Sequence, residues 1–294
     1  MRVMLIGATG VLGTHAVPLL LAAGHKVTGL ARNNDRAKAI ADLGIEPAIG
    51  DLFDPDSLAT TLRGHDAILN LATRIPTGTK AASKKAWAAN DKVRTEGSAS
   101  LVEAASASRD VQTIVQEGIS FYYADAGDNE ISEESPIEVT PPLKSSITAH
   151  ENAARFAQDG RTAVRLRIGF LTGNDPLTQF QFTVARFGGP LIYGDPNGWT
   201  APIRPADAAA GAVKALTAPT GIYNVTAGPI RKRDFGTVLA KAAHVRKARA
   251  LPARYAKFLG PVAIFTRSQR IVATKLTEAT GWQPAEPTPN EKWF

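Results

Sequence analysis

Gly7-Ala8-Thr9-Gly10-Val11-Leu12-Gly13 spells G-x-x-G-x-x-G. The run before it, RVMLIG, is apolar and reads as a strand. The stretch after it, VLGTHAVPLLLAAG, reads as a helix ending at Gly24. A chain that passes from strand to helix through three glycines turns sharply and lets its backbone amides approach a pyrophosphate. A side chain at Gly7 or Gly10 would obstruct that approach, and Gly13 lets helix and strand pack closely. The helix N-terminus adds positive potential for the anion. With KVTGLA as a second strand, the unit spans about 30 residues, the context in which a glycine triplet signals a dinucleotide. Gly7, Thr9, Gly10, Val11, Leu12 and Gly13 are therefore the expected cofactor loop. Pro18 falls inside the helix and predicts a local kink, not a break, because Leu19, Leu20 and Leu21 continue the apolar pattern.

The alternation continues outward. NDRAKAIADLG reads as a helix, IEPAIG as a strand, and DPDSLATTLRG as a helix with Asp54 as N-cap and Pro55 at its first position. DAILNLAT is a fourth strand, followed by one long helix from Lys84 to Ala107 and a fifth strand, VQTIVQ. Phe121 to Ser146 is polar and proline-bearing and predicts an extended loop. ITAHENAARFAQDG then predicts a helix and RTAVRLRIGFL a sixth strand. Alternation at this spacing implies an α/β fold, a Rossmann-type doubly wound parallel sheet with a smaller C-terminal substrate lobe. Residues 1–170 are the expected dinucleotide-binding domain, with 200–225 returning to it. Residues 171–199 and 226–294 are the expected substrate-binding lobe.

With 294 residues, 44% hydrophobic and 21% charged, the composition excludes a largely disordered chain. The absence of cysteine excludes disulfides, thiolate catalysis, Cys-ligated zinc and iron–sulfur clusters. No His/Asp/Glu cluster has metal-ligand spacing, so no metal is expected. The apolar run at the N-terminus stops at Gly7, short of a signal-peptide core, and no stretch reaches the ~18 apolar residues of a membrane span. The expectation is a soluble, cytoplasmic protein that does not engage membranes. The net charge of +7 is concentrated between Arg231 and Lys275, where Asp234 is the only acid among twelve basic residues, Lys257 included. That run reads either as a solvated basic face or as a site for an anionic ligand. No recognition-helix or aromatic-interleaved motif supports nucleic acid.

Strand ends indicate which dinucleotide. An NAD site usually has an acid at the end of the second strand, for the ribose hydroxyls. Here the strand ends Leu30-Ala31-Arg32, with no acid before Asp35. Arg32, assisted by Arg36, suits a 2′-phosphate, which favours NADP(H) over NAD(H). Asp51 and Leu52 follow the third strand, where an Asp can accept from the adenine amine. Leu71, Ala72 and Thr73 follow the fourth, beside the nicotinamide ribose.

GATGVLG, GDLFDPDSL, DAILNLAT, NDKVRTEGSASLVEAA, VRLRIGFLTG, PIRPADAAAGAV, GIYNV and GWQP run in order across nearly the whole chain. With them the sequence resembles the short-chain dehydrogenase/reductase superfamily, in its extended and atypical branches, grouped as NAD-dependent epimerase/dehydratase proteins. The resemblance implies a Ser and a Tyr-x-x-x-Lys pair, the tyrosine exchanging a proton with substrate as hydride moves. It places Leu143 and Ile147 at the Tyr and Lys positions and Gln116-Glu117-Gly118 at the serine segment. The pair is missing. Tyr122, Tyr123 and Glu117 are the candidate substitutes, and His150 has no evident partner.

Three functions follow. One is an NADP(H)-dependent oxidoreductase acting on a small polar or anionic carbonyl, enone or quinone with a non-standard proton donor. Another is a non-catalytic NADP(H)-binding redox sensor. The third, a nucleotide-sugar epimerase or dehydratase, depends most on the missing tyrosine. The helices around Lys84–Ala107 and ITAHENAARFAQ resemble the pair that builds homodimers in the superfamily.

Overall fold

Seven of the apolar runs become strands of one sheet. In chain order the main elements are β1 (Arg2–Ile6), α1 (Val11–Ala22), β2 (Lys26–Ala31), α2 (Asn34–Ala41), β3 (Glu46–Ile49), α3 (Pro55–Thr61) and β4 (Ala67–Asn70). They continue with α4 (Lys84–Lys92), α5 (Ser98–Ala107), β5 (Thr113–Gln116), α6 (Lys144–Arg155), β6 (Thr162–Ile168), α7 (Pro176–Arg186), α8 (Pro205–Lys214), β7 (Gly221–Val225) and α9 (Lys232–Ala242). This computed structural model describes residues 1–158, 160–256 and 263–294, so Lys257 lies outside the described residues.

All neighbouring strands are parallel, in the order β3-β2-β1-β4-β5-β6-β7. The order reverses between β1, which pairs Leu5 with Gly29 of β2, and β4, which pairs Leu69 with that same Leu5. A ligand crevice opens at such a reversal, outside the carboxyl ends of the strands. The pleat sorts the core. Val3 and Leu5 face one layer, with Ala16 and Leu20 of α1 and Ala208 and Ala212 of α8. Met4 and Ile6 face the other, with Leu58 of α3, Leu101 of α5 and Phe156. β1 and β4 are buried on both faces, which is why they read as unbroken apolar runs. A further cluster joins Phe182 and Ala185 of α7 to Phe235 and Leu239 of α9, outside the sheet. No helix among the described residues is long and apolar enough to cross a membrane.

Three expectations about local structure need correction or completion. α1 runs unbroken through Pro18. The long helix from Lys84 to Ala107 is not regular: Val93–Gly97 forms a π-helical turn between α4 and α5. A π turn frees carbonyls, and side chains collect them. Ser98 Oγ donates to the Arg94 carbonyl at 2.6 Å, and Asn152 Nδ2 of α6 donates to the Thr95 carbonyl at 3.2 Å. Residues 121–146 run mostly as the expected loop, with buried anchor points and short elements that the sequence did not mark. Tyr122 and Tyr123 are fully buried, Glu130–Ile131 pairs in parallel with Arg270–Ile271, and Pro141–Leu143 is a 3₁₀ turn leading into α6. Buried aromatic hydroxyls and a two-residue strand leave no periodicity to read.

The first turn of α1 is packed tightly against the loop that precedes it. A Cβ on Gly13 would lie 2.2 Å from the Gly7 carbonyl oxygen and 2.5 Å from that of Ala8, both backbone atoms. On helix propensity alone, Gly13→Ala would stabilise the helix by about 1 kcal/mol. We expect the opposite sign, a loss of at least about 1–3 kcal/mol in urea unfolding, because the backbone must shift to admit the methyl group. A stabilised Gly13→Ala protein would mean that the loop has room this geometry denies.

Candidate functional site

A cleft of about 970 Å³ runs along the carboxyl ends of β1 to β6. Gly7, Thr9, Gly10, Val11, Leu12, Arg32, Asp51, Leu52, Leu71, Ala72 and Thr73 all line it. Gly13 does not; it lies under the loop, against the Gly7 carbonyl. Gly7 takes φ +86°, a conformation that suits glycine, and a Cβ there would meet the Ala72 backbone at 3.0 Å. α1 begins at Gly10 with no side-chain cap and no acid in its first turn. Its free amides therefore face the cleft with nothing of the chain's own to neutralise them, as a bound diphosphate requires.

The cleft differs along its length. At the β2 end, exposed Arg32 and Arg36 line the rim. Asn33 caps α2 by accepting from the Arg36 amide at 3.0 Å, which fixes the helix that carries Arg36. Asp51 Oδ1 accepts from the Phe53 amide at 2.9 Å and shapes the turn after β3. In the middle, buried Asn70 donates to Gln116 Oε1 at 2.8 Å and accepts from the Ala72 amide at 3.2 Å, tying the ends of β4 and β5 together.

Beyond them lies Glu117, 3% exposed, facing Arg94, 4% exposed. Arg94 Nε donates to Glu117 Oε1 at 3.1 Å and Arg94 Nη2 to Glu117 Oε2 at 3.0 Å, a two-point pair. Both residues line the cleft. The π turn is what swings Arg94 inward. Nothing in NDKVRTEG marked it, because a π turn has no distinctive sequence period.

The tyrosines stand elsewhere. Neither Tyr122 nor Tyr123 lines the cleft, and each phenol has a partner inside the protein. Tyr122 Oη lies 3.1 Å from His150 Nδ1, and Tyr123 donates to Asn224 Oδ1 at 2.7 Å. His150 thus has the partner its sequence position did not reveal. The Arg167 guanidinium sits over both rings, 5.1 Å and 4.7 Å from their centroids. Burial raises the Tyr122 phenol far above its ordinary range and pushes Tyr123 up to about 12. Burial, with Arg167, Arg165 and Arg94 nearby, brings His150 down to about 3, so the imidazole is neutral. Gly118 lines the cleft floor with this ring directly behind it; a Cβ there would lie 2.1 Å from His150 Nε2. Leu143 lines the cleft and packs with Ile147 in one apolar cluster. Among the described residues no tyrosine and no histidine lines the cleft.

The basic run from Arg231 to Lys275 is not one face. Lys232 is buried, and its ammonium donates to the Tyr193, Phe265 and Thr266 carbonyls at 2.8, 2.9 and 3.0 Å. Burial lowers it to about 8. Arg267 Nη1 donates to the Phe121, Tyr123 and Glu138 carbonyls. Arg231, Lys241 and Lys275 pair with Asp128, Glu291 and Glu134, acids outside the run. Part of the charge that looks unbalanced along the chain is balanced in space.

A family model described as NAD(P)H-binding matches residues 7–219. A 3-diazoavenalumate denitrifying reductase from a Streptomyces species is 29% identical, over 98% of this chain and 97% of its own. A human epimerase family protein, SDR39U1, solved with NADPH, superposes with TM-score 0.78 at 23% identity, over 100% of this chain and 98% of the other. A UDP-glucose 4-epimerase from Thermus thermophilus, solved with NAD, gives 0.75 at 23% identity, over 100% and 97%. These two share the fold and carry different coenzymes, so the fold does not choose between them.

Two outcomes are expected from this geometry. Arg94→Met strands a buried carboxylate, so the protein loses about 3–5 kcal/mol in urea unfolding, and adding Glu117→Leu restores much of it. Additive losses would deny the coupling. For His150, the folded value near 3 lies below the ordinary 6.5, so the unfolded chain takes the proton first. Its stabilising contribution is full above pH 6.5 and is lost as pH falls toward 3, by up to about 1.4 kcal/mol per unit. The His150→Asn protein should show a flatter acid limb; parallel limbs would place the titration elsewhere.

Proposed function

From a chain that belongs to the NAD(P)H-binding family, we propose an oxidoreductase that prefers NADP(H) and moves hydride to or from a small carbonyl, enone or quinone. The residues after β1 to β4 hold the coenzyme: the glycine loop the diphosphate, Asp51 and Leu52 the adenine, Leu71, Ala72 and Thr73 the nicotinamide ribose. The bound nicotinamide supplies or accepts the hydride. The single observation that carries the NADP preference is the pair of guanidinium groups of Arg32 and Arg36 on the rim after β2, with Asp35 outside the cleft lining and no carboxylate at the strand end to hold ribose hydroxyls. A relative named as a reductase, similar over nearly its whole length, supports the redox reading.

Glu117, held at two points by Arg94, is the acidic group of the cleft nearest the end of β5. Both its oxygens are engaged, so its role in this reading is to fix the Arg94 side chain and the cleft floor, and water supplies the proton. Residues 171–199 and 226–294 supply the substrate side. One observation favours a second reading, a coenzyme-binding sensor without turnover: Leu143 stands where the resemblance puts the catalytic tyrosine. Transfer of deuterium from labelled NADPH to any small molecule would exclude it.

The coenzyme preference is tested by titrating NADPH and NADH into the wild-type and Arg32→Ala proteins. The variant should lose about 1–3 kcal/mol of NADPH affinity, the size of a charge-assisted bond, and hold its NADH affinity. Equal losses for both coenzymes would contradict the role given to Arg32.

A further inference from the structure

A small second chamber of about 40 Å³ opens beside the cleft, and the two share Phe121, Phe170, Ile264 and Phe265 in their walls. Three of these are a mutual aromatic cluster. Phe121 and Phe265 meet edge to face at 4.8 Å between centroids, Phe170 and Phe265 lie 5.5 Å apart, and Phe121 and Phe170 5.9 Å. Tyr193, Trp199 and Phe235 extend the lining into the chamber, with Tyr193 5.9 Å from Phe265 and Phe235 6.4 Å from Phe170. Six rings in one wall exceed what filling space needs; aliphatic side chains do that with better-defined packing.

The position of this wall matters. Phe121 follows β5 and Phe170 follows β6, whereas Arg32 follows β2. The chamber is therefore at the end of the cleft away from the two rim arginines, where a substrate would meet the nicotinamide. The cationic and amide donors in the lining are already engaged. The three protons of the Lys232 ammonium go to three backbone carbonyls, Arg267 Nη1 is spent on carbonyls, and Gln269 Nε2 donates to the Tyr123 carbonyl at 2.8 Å. The cations do not make this pocket an anion site: they hold together the backbone that presents the rings.

We propose that Phe121, Phe170 and Phe265 form the mouth of a substrate subsite for a planar aromatic ring, which lies against them with its edge or a small substituent in the chamber lined by Tyr193, Trp199 and Phe235. This deepens the reading of the cleft as a coenzyme site and rests on it for the ring's position beside the nicotinamide. It also replaces the expectation of an anionic group at this end with a flat apolar one. Offset and edge-to-face contacts with several rings discriminate a flat π-system from a puckered ring of equal carbon count.

The experiment compares benzaldehyde with cyclohexanecarbaldehyde. Binding is read by calorimetry and by the fluorescence of Trp199, assigned with Trp199→Phe, on the protein with NADP+ and without it. NADP+ has no hydride to donate, so the aldehyde is not reduced, and the absence of absorbance at the NADPH wavelength confirms that it is not oxidised either. We expect benzaldehyde to bind about tenfold more tightly than its saturated counterpart and to change the Trp199 signal. Phe170→Leu and Tyr193→Leu, each shown by thermal unfolding to be folded, should each erase most of that preference. Equal affinity for the two aldehydes overturns the subsite, as does a preference that survives both substitutions. If NADP+ fails to bind while the ring preference persists, the coenzyme reading falls and the subsite stands. If NADP+ binds and the preference is absent, the subsite falls alone.

Discussion

One missing carbon atom governs the centre of this protein. Between Gly13 and the Gly7 carbonyl there is no space for a Cβ, and between Gly7 and the end of β4 there is barely space for one. The loop that joins β1 to α1 is consequently pressed against β4, and the amides at the start of α1 are left without a side-chain partner. The same closeness sets where α1 can lie, so α8 packs beside it and β7 returns to the sheet edge. A turn one carbon looser would move the helix whose uncapped N-terminus faces the cleft.

The C-terminal half is held by a different device. Lys232 and Arg267 reach buried backbone carbonyls that no strand satisfies, and so act where hydrogen-bonded sheet is absent. Both belong to the acid-poor run that, along the sequence, suggests a surface for anions. Several neighbours in that run find acids more than 40 residues away. Net charge counted over a stretch of chain cannot see such pairings.

What the sequence made legible follows the same line. Strands such as β1 and β4 were readable because both of their faces are covered and their apolar runs are continuous, and edge strand β3 was readable from its place in the alternation; the α1 loop was readable because glycine spacing states a backbone requirement directly. The Asp54 cap of α3 was readable for the same local reason, and its carboxylate does accept from the Asp56 amide. The π turn at Val93–Gly97 was not, because its cause is tertiary: Ser98 and Asn152 collect the carbonyls it frees and Glu117 collects Arg94. Tyr122 and Tyr123 looked like reactive groups because they follow β5. Arg167, His150 and Asn224, each distant in sequence, draw them into the core instead. The rings of the side chamber come from five separate segments, and no single stretch announces them.

These placements give the cleft a direction. Exposed guanidinium groups stand at the β2 end, an internally neutralised Arg94–Glu117 pair sits near the middle, and aromatic side chains close the β5–β6 end. Exposed Arg74 and Lys92 also line the cleft between these ends, whereas the cations beside the rings are spent on carbonyls or paired. On the proposed reading, a diphosphate nucleotide needs cations and open amides, and the nicotinamide end is served by a fixed surface with few unmatched charges. Pairing Arg94 with Glu117 makes the two demands compatible: the buried cation anchors the π turn and the strand end without presenting an unmatched charge to the apolar end of the cleft. A lone arginine at that position would draw water or an anion into the region that the rings keep apolar. The buried pair and the aromatic wall are therefore two parts of one arrangement, the first neutralising its own charge within the cleft that the second helps to line.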